Sequence, residues 1–153
     1  MATMEWTENL EVGLGPMDDT HREFVVCYNA MVNADDSAFL GQLDAFIQHT
    51  VRHFAQENVW MEKVNFPGCH RAEHDRVLAV IQDVRKRVAN GDIALGRRLA
   101  EELPAWFETH ATGMDAALAF HLQTLDFNFK TGEIGNPAAL ADVSCSTASH
   151  ETA

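Results

Sequence analysis

The feature that most limits how this chain can fold is a set of two residue pairs, separated by a turn, whose side chains are of types that bind metals. His53 and Glu57 are four residues apart, and so are His70 and His74. On a helix, that spacing stacks two side chains on one face, close enough to hold one metal ion. Because the turn signal NFPG at 65–68 lies between the pairs, we expect two antiparallel helices that present both pairs to the same point.

Three further candidate ligands flank this stretch, with His21 upstream and His110 and Asp115 downstream. A lone helical histidine is more often a hydrogen-bonded residue than a ligand. All seven candidates, however, fall on apolar helix faces, where each needs a buried partner, and a shared metal site supplies one. In a regular helix, five residues leave an offset of about 140°, so Asp115 is expected to approach the metal from beside His110.

The other histidines and a neighbouring cysteine are not predicted to be ligands. His49 lies one turn before His53, where the site is already filled by His53 and its partner. His121 falls near the end of the last helix and His150 in the tail, so both are expected to be solvated. Cys69 directly precedes His70, and adjacent helical residues point about 100° apart.

The apolar pattern predicts four amphipathic helices and no strand. The first follows a cap at Asp18 or Asp19, and the second runs from a cap at Ser37 to about residue 63. The third begins near Cys69 and ends at the Asn-Gly pair 90–91. The fourth spans roughly 93–127, and Pro104 inside it removes a backbone donor, so we expect a kink or a restart there.

These helices, joined by short connections, predict an all-α protein: an up-down-up-down antiparallel four-helix bundle. Residues 1–16 are expected to form an irregular N-terminal arm, and the bundle domain is expected to span 1–130. The segment 131–153 is rich in small and polar residues. It is therefore predicted to be a disordered C-terminal tail.

Charge and composition narrow the classes of partner. Eleven basic residues against 23 acidic ones give a net charge of −12, which argues against nucleic acid and anionic membranes. The sequence has no apolar run of transmembrane length and no apolar segment typical of a signal peptide at its start. Its three cysteines never form a CxxC pair, so a reducing cytoplasm is the expected location.

The donor set indicates the kind and number of metal ions. Five imidazoles and two carboxylates exceed what one ion in a bundle core takes, so two ions are expected. Imidazole with carboxylate suits iron, zinc or manganese, and the lack of thiolate ligands argues against copper(I) and iron–sulfur clusters.

The sequence resembles the hemerythrins, and most closely the single-domain bacterial ones, from Trp6 to about Phe127. The matching segments are VGLGPMDDTHREF, HFAQE, FPGCHRAEH and WFETHATGMD. The resemblance implies a cofactor of two non-haem iron ions, bridged by Glu57, Asp115 and an oxo or hydroxo group. It assigns the remaining ligands as follows: His70, His74 and His110 on one iron, and His21 and His53 on the other.

This implied ligand set leaves one open coordination position, on the iron held by His21 and His53. The resemblance implies that dioxygen binds there reversibly, for storage, delivery or scavenging, in a protein that is not an enzyme. The alternatives are a module that senses oxygen, nitric oxide or redox state, and a di-iron nitric oxide or peroxide reductase. A histidine-rich site carries less negative charge than glutamate-rich bundle sites, which favours oxygen binding over substrate oxidation.

Aromatic and small side chains are expected to line the oxygen pocket. After His110 the family commonly has a bulky aliphatic residue, whereas Ala111, Thr112 and Gly113 follow here. This difference predicts a roomier or wetter pocket, in which water and protons speed oxidation of the ferrous pair. The expected lining residues are Phe24, Phe54, Trp106, Phe107 and Ala111.

Overall fold

The computed structural model describes residues 3–140 and confirms the all-α four-helix bundle. Each helix packs against the next in sequence, and the connections between them are short. The fourth helix continues into a π-helical segment and a further α-helix. The elements are α1 (Gly15–Asn33), α2 (Asp36–Lys63), α3 (Cys69–Ala89), α4 (Ile93–His110), the π segment (Ala111–Asp115) and α5 (Ala116–Thr124).

The first helix begins earlier than predicted. Pro16 lies in its first turn, where the fixed φ of proline suits a helix and its missing N–H is no loss. Asp18, predicted as a cap, is instead buried and accepts a hydrogen bond from the Val12 N–H at 2.8 Å. Its carboxylate therefore fastens the N-terminal arm to the start of α1.

The other helix ends follow ordinary capping chemistry. Asp35, rather than the predicted Ser37, caps α2 by accepting from the Ala38 N–H at 3.0 Å. The turn after α2 contains Asn65 at φ 52°, and α3 ends before Gly91 at φ 107°, a backbone conformation that glycine adopts without steric cost. Both turns lie where the sequence predicted them.

The helix α4 continues through Pro104 without a restart. Proline has no N–H, so the carbonyl of Ala100, four residues earlier, loses its intrahelical donor. The hydroxyl of Tyr28 on α1 donates to that carbonyl. Tyr28 is itself almost completely buried, so one contact satisfies two buried polar groups.

The N-terminal arm is irregular apart from one short turn at Glu8–Leu10. The Met4 N–H donates to Asn29 Oδ1 at 2.7 Å, and Asn29 Nδ2 donates to the Met4 carbonyl at 2.8 Å. The guanidinium of Arg22 lies over the Trp6 ring, 4.9 Å from its centroid. These contacts, all to α1, fix the arm along the bundle.

Residues 131–140, predicted to belong to the tail, fold back beside the end of α5. Phe127 and Ile134 form an isolated antiparallel bridge, and Ile134 packs against buried side chains of the bundle. The rest of the predicted tail, 141–153, lies outside the described residues. No helix within 3–140 has the length and apolar character that a membrane span needs.

Buried apolar side chains form two clusters. The first apolar cluster is built mainly by Phe24, Tyr28, Phe39, Leu43, Phe46, Phe54, Ile81, Leu103, Phe107 and Ala111. The second apolar cluster is built mainly by Leu14, Met17, Trp60, Met61, Val64, Leu118, Leu122 and Leu125.

We predict that Tyr28→Phe lowers the free energy of unfolding by about 1–2 kcal/mol, because it leaves the Ala100 carbonyl buried without a donor. Urea denaturation followed by circular dichroism measures the difference. Adding Pro104→Ala supplies the missing N–H, so the loss caused by Tyr28→Phe should shrink in the Pro104→Ala background. Equal losses in both backgrounds would show that the hydroxyl does not serve this carbonyl.

Candidate metal centre

The structure brings all seven predicted ligand side chains together in the interior of the bundle, each at most 4% exposed. Every long helix contributes, and Asp115 comes from the last position of the π segment. The ligand atoms form two groups that share both carboxylates. The groups are His70, His74, His110, Glu57 and Asp115 on one side, and His21, His53, Glu57 and Asp115 on the other.

Three imidazole nitrogens of the first group converge on one point. Nε2 of His110 lies 3.2 Å from Nε2 of His70 and 3.1 Å from Nε2 of His74. Two ligands at right angles on a metal, each with a bond of about 2.1 Å, place their donor atoms roughly 3.0 Å apart. The spacing therefore fits three neighbouring ligands of a single ion.

Glu57 directs one oxygen to each group. Its Oε1 lies 3.2 Å from Nε2 of His74 and 3.6 Å from Nε2 of His70. Its Oε2 lies 2.8 Å from Nε2 of His53 and 3.6 Å from Nε2 of His21. This division of the two oxygens is what a carboxylate bridging two ions requires.

Asp115 divides its oxygens in the same way. Its Oδ1 lies 2.9 Å from Nε2 of His70 and 3.2 Å from Nε2 of His110. Its Oδ2 lies 3.0 Å from Nε2 of His21. The two carboxylates therefore lie between the imidazole groups, one from α2 and one from the π segment.

Several of these atoms are close together without being hydrogen bonded. Nε2 of His21, Oε1 of Glu57 and both oxygens of Asp115 are fully buried and have no partner in hydrogen-bond geometry among the described residues. Leaving such atoms unpaired is costly. Lone pairs that point at a common ion account for both the short distances and the missing hydrogen bonds, so the donor set fits a metal.

The π segment explains how Asp115 reaches the site. A π-helix has hydrogen bonds from residue i to i+5, so residues five apart lie on one face. His110 and Asp115 are five apart and point to the same site, which corrects the sideways approach predicted from regular α-helical geometry. The five-residue spacing, with Gly113 between the two ligands, was the signal for this segment in the sequence.

The predicted oxygen-pocket residues divide between the two imidazole groups. The Phe24 ring is stacked on the Phe107 ring at 4.3 Å, and Phe107 meets the edge of the His21 ring at 5.2 Å. Phe54 is stacked on the His74 ring at 3.9 Å. Trp106 is stacked on the His110 ring at 4.7 Å and borders the three-histidine group, while Phe24 and Phe107 border the two-histidine group. Phe54 borders both groups, since its ring also lies 5.4 Å from that of His53.

The small residues after His110 have different surroundings. Ala111 is completely buried and packs within the first apolar cluster. Thr112 is exposed, and its hydroxyl donates to the Glu108 carbonyl at 2.7 Å. The roomier pocket expected from these residues stays a prediction.

A groove of about 860 Å³ lies between the N-terminal arm and α4. Glu5 and Glu108 stand on its walls, and Phe107 is also part of its lining. Phe107 therefore links the lining of this groove with the two-histidine group, since its ring also contacts His21.

Histidines outside the predicted ligand set do not join either group. His49 is buried beside Phe24 and His53, and its Nε2 has no hydrogen-bond partner among the described residues. His121 is partly exposed and lies 5.4 Å from the Phe66 ring. His150 is outside the described residues.

Asn58 is a site residue that sequence reasoning missed. Its Oδ1 lies 3.0 Å from Nδ1 of His74. The one feature of the sequence that could have indicated its place beside the site is its position directly after Glu57.

In the metal-free protein, the charged groups of the site strongly shift the pKa values of its imidazole and carboxyl side chains. Burial by itself lowers the pKa of His21 and His70, but the carboxylates of Asp115 and Glu57 raise them to about 10 and about 9. Burial raises the pKa of Glu57 and Asp115, yet the surrounding imidazoles hold both carboxyl pKa values well below their usual range. When no metal competes for them, the carboxylates therefore favour the protonated forms of these two imidazoles.

These features define a metal-binding four-helix bundle. The chain matches the family described as "Hemerythrin HHE cation binding domain" over residues 12–119. It is 50% identical over 117 residues to a bacteriohemerythrin of Ralstonia nicotianae, a match that covers 75% of this chain and 85% of that protein. The chain therefore belongs to the hemerythrin family.

More distant relatives are consistent with this membership. A bacteriohemerythrin of Methylococcus capsulatus is 29% identical, with 75% of this chain and 93% of that protein covered. A myohemerythrin of Riftia pachyptila is 26% identical, with 72% of this chain and 86% of that protein covered. No solved structure matches the chain.

We predict that metal binding to the metal-free protein at pH 7 releases about two protons per chain, because a metal must displace those on His21 and His70. Calorimetric titration with Zn²⁺ in buffers of different ionisation enthalpy measures this number. Affinity should rise with pH up to about 9–10, where the pKa values of these imidazoles lie. Heats that are independent of the buffer would contradict the prediction.

The same raised pKa values predict how the stability of the metal-free protein changes with pH. Protonation of His21 and His70 stabilises the fold fully below the ordinary histidine pKa of 6.5, and this contribution is lost as pH rises through about 9 and 10. The free energy of unfolding should therefore fall between pH 7 and pH 10 in urea titrations. A constant value over this range would show that these imidazoles are neutral.

Proposed function

We propose that this protein binds dioxygen reversibly at two non-haem iron ions, for storage, delivery or scavenging. The observation that carries the proposal is the unequal division of donors: three imidazoles on one side, two on the other, and two carboxylates shared between them. Iron bound in this set would supply the electrons for reversible dioxygen binding. The relatives named bacteriohemerythrin and myohemerythrin support this assignment.

In this proposal Glu57 and Asp115 would be shared by the two ions, since each carboxylate directs one oxygen to either imidazole group. His70, His74 and His110 would hold one ion. His21 and His53 would hold the other with one imidazole fewer, and this difference would leave it a position for a further ligand.

The aromatic rings beside His21 and His53 favour a small neutral ligand. Phe24 and Phe107 are both about 1% exposed, so they keep bulk water from that side of the site. Dioxygen is apolar and enters such surroundings at little cost, whereas a hydrated anion loses its water there.

The groove beneath the N-terminal arm is the entrance that we propose for this ligand. Phe107 is part of its lining and also contacts His21, so the groove is the cavity that approaches the two-histidine side of the site. The carboxylates of Glu5 and Glu108 on its walls disfavour anions relative to a neutral gas. The cytoplasmic location expected from the cysteine pattern stays a prediction.

We expect two irons per chain in reconstituted protein. Oxygen added to the ferrous form should give a visible absorption band that disappears when oxygen is removed. Metal analysis combined with these spectra tests the proposal. One zinc per chain with no uptake of iron would overturn it, and sustained turnover of nitric oxide or peroxide would replace it with a reductase.

His21→Ala should lower the iron content towards one per chain and abolish the oxygen band, because it removes an imidazole from the side with fewer donors. The matched control is His121→Ala, which deletes a histidine outside both ligand groups. It should leave iron content and spectrum unchanged. An intact oxygen band in His21→Ala would show that oxygen binds elsewhere.

A further inference from the structure

The five imidazoles of the site differ in the hydrogen bonding of Nδ1, the ring nitrogen that points away from the proposed metal position. A metal-bound histidine almost always donates its second ring N–H to a partner, which fixes its tautomer and orientation. His74 has such a partner, since its Nδ1 lies 3.0 Å from Oδ1 of Asn58. Four others have a buried Nδ1 with no hydrogen-bond partner among residues 3–140: His21, His53, His70 and His110.

The contact with Asn58 determines which nitrogen of His74 carries the proton. An amide oxygen only accepts, so with Oδ1 facing the ring this hydrogen bond requires the proton on Nδ1, which leaves the lone pair on Nε2. That Nε2 lies 3.2 Å from Oε1 of Glu57 and 3.1 Å from Nε2 of His110, inside the ligand group. With the amide reversed, its NH₂ group would donate to Nδ1 and leave the proton on Nε2, where it would block a metal.

Two contacts from α2 constrain the His74 ring in different directions. Phe54 is stacked on it with an interplanar angle of 3°, which fixes the plane of the ring. Asn58 binds its outer edge and so fixes the rotation within that plane. A single turn of α2, which also carries Glu57, therefore positions a ligand that belongs to α3.

We propose that Asn58 is a positioning residue for the metal site: it holds His74 as the Nδ1–H tautomer and limits the electron donation of this ligand. The inference rests on the proposed function only in taking His74 as a ligand. A carboxylate at position 58 would also accept this hydrogen bond, but its charge would make the imidazole more basic. The neutral amide keeps the ring oriented without adding negative charge, which favours the ferrous state.

Two substitutions of similar size at position 58 distinguish the effect on the orientation of His74 from the effect of a charge beside it. Asn58→Leu removes the acceptor, and we expect Zn²⁺ affinity to fall by about 10–100-fold, the usual effect of losing such a partner. Asn58→Asp keeps the acceptor, so its Zn²⁺ affinity should stay at or above that of the unaltered protein. In the iron-loaded protein, the same change should lower the reduction potential.

A matched control distinguishes the effect of a carboxylate hydrogen bonded to His74 from the effect of a negative charge placed nearby. Gln56→Glu makes the same amide-to-carboxylate change on the same turn of α2, at an exposed position. It should leave Zn²⁺ affinity unchanged and shift the reduction potential far less than Asn58→Asp. Equal shifts in the two variants would overturn the proposal, whether or not Asn58→Leu folds well.

The tautomer of His74 can be determined in protein that contains no iron. Long-range ¹H–¹⁵N spectra of the metal-free and zinc-loaded proteins should show the His74 proton on Nδ1, and Asn58→Leu should lose this preference in the metal-free protein. An unchanged tautomer and unchanged Zn²⁺ affinity in Asn58→Leu would overturn the proposal. If these measurements agree with it but the iron-loaded protein does not bind oxygen, the proposed function fails and the role of Asn58 stands.

Discussion

Two carboxylates, Glu57 and Asp115, lie in the interior of the bundle, each at most 1% exposed, and the positions of the helices depend on them. An ion buried without compensation costs roughly several kcal/mol, so their charges must be balanced by the groups around them. Each of the four long helices supplies at least one imidazole to this balance. Because every imidazole must reach the same small volume, the positions of the four helices along the bundle axis are fixed relative to one another.

This polar layer divides the apolar interior. On α1, Met17 belongs to the second apolar cluster and Phe24 to the first, with His21 between them. On α2, Phe54 and Trp60 flank Glu57 in the same manner. Apolar packing on both sides lowers the effective dielectric around the ligands and strengthens every charge interaction among them. The same packing keeps water from the site, so the requirements of folding and of ligand binding agree.

Spacing along the chain predicted the helices, the turn at 65–68 and the seven residues that meet in the site, because helical periodicity is local information. Other features depend on groups far apart in sequence. Tyr28 satisfies the carbonyl that Pro104 leaves free, and no periodicity reveals that pairing. Asn58 was missed because the partner of its side chain lies on another helix. Asp115 joins the seven-residue cluster through the π segment, whereas the sequence prediction assumed a regular α-helix.

The π segment has a consequence for how related chains can differ. Its extra residue places every later side chain about 100° behind its position in a regular α-helix, so α4 and α5 follow two different registers along one continuous helix. Beyond the segment, Leu118 and Leu122 pack in the second apolar cluster. An insertion or deletion between His110 and Asp115 would therefore alter the seven-residue cluster and the packing of α5 together. The same change in the turn at 65–68 would alter only a connection.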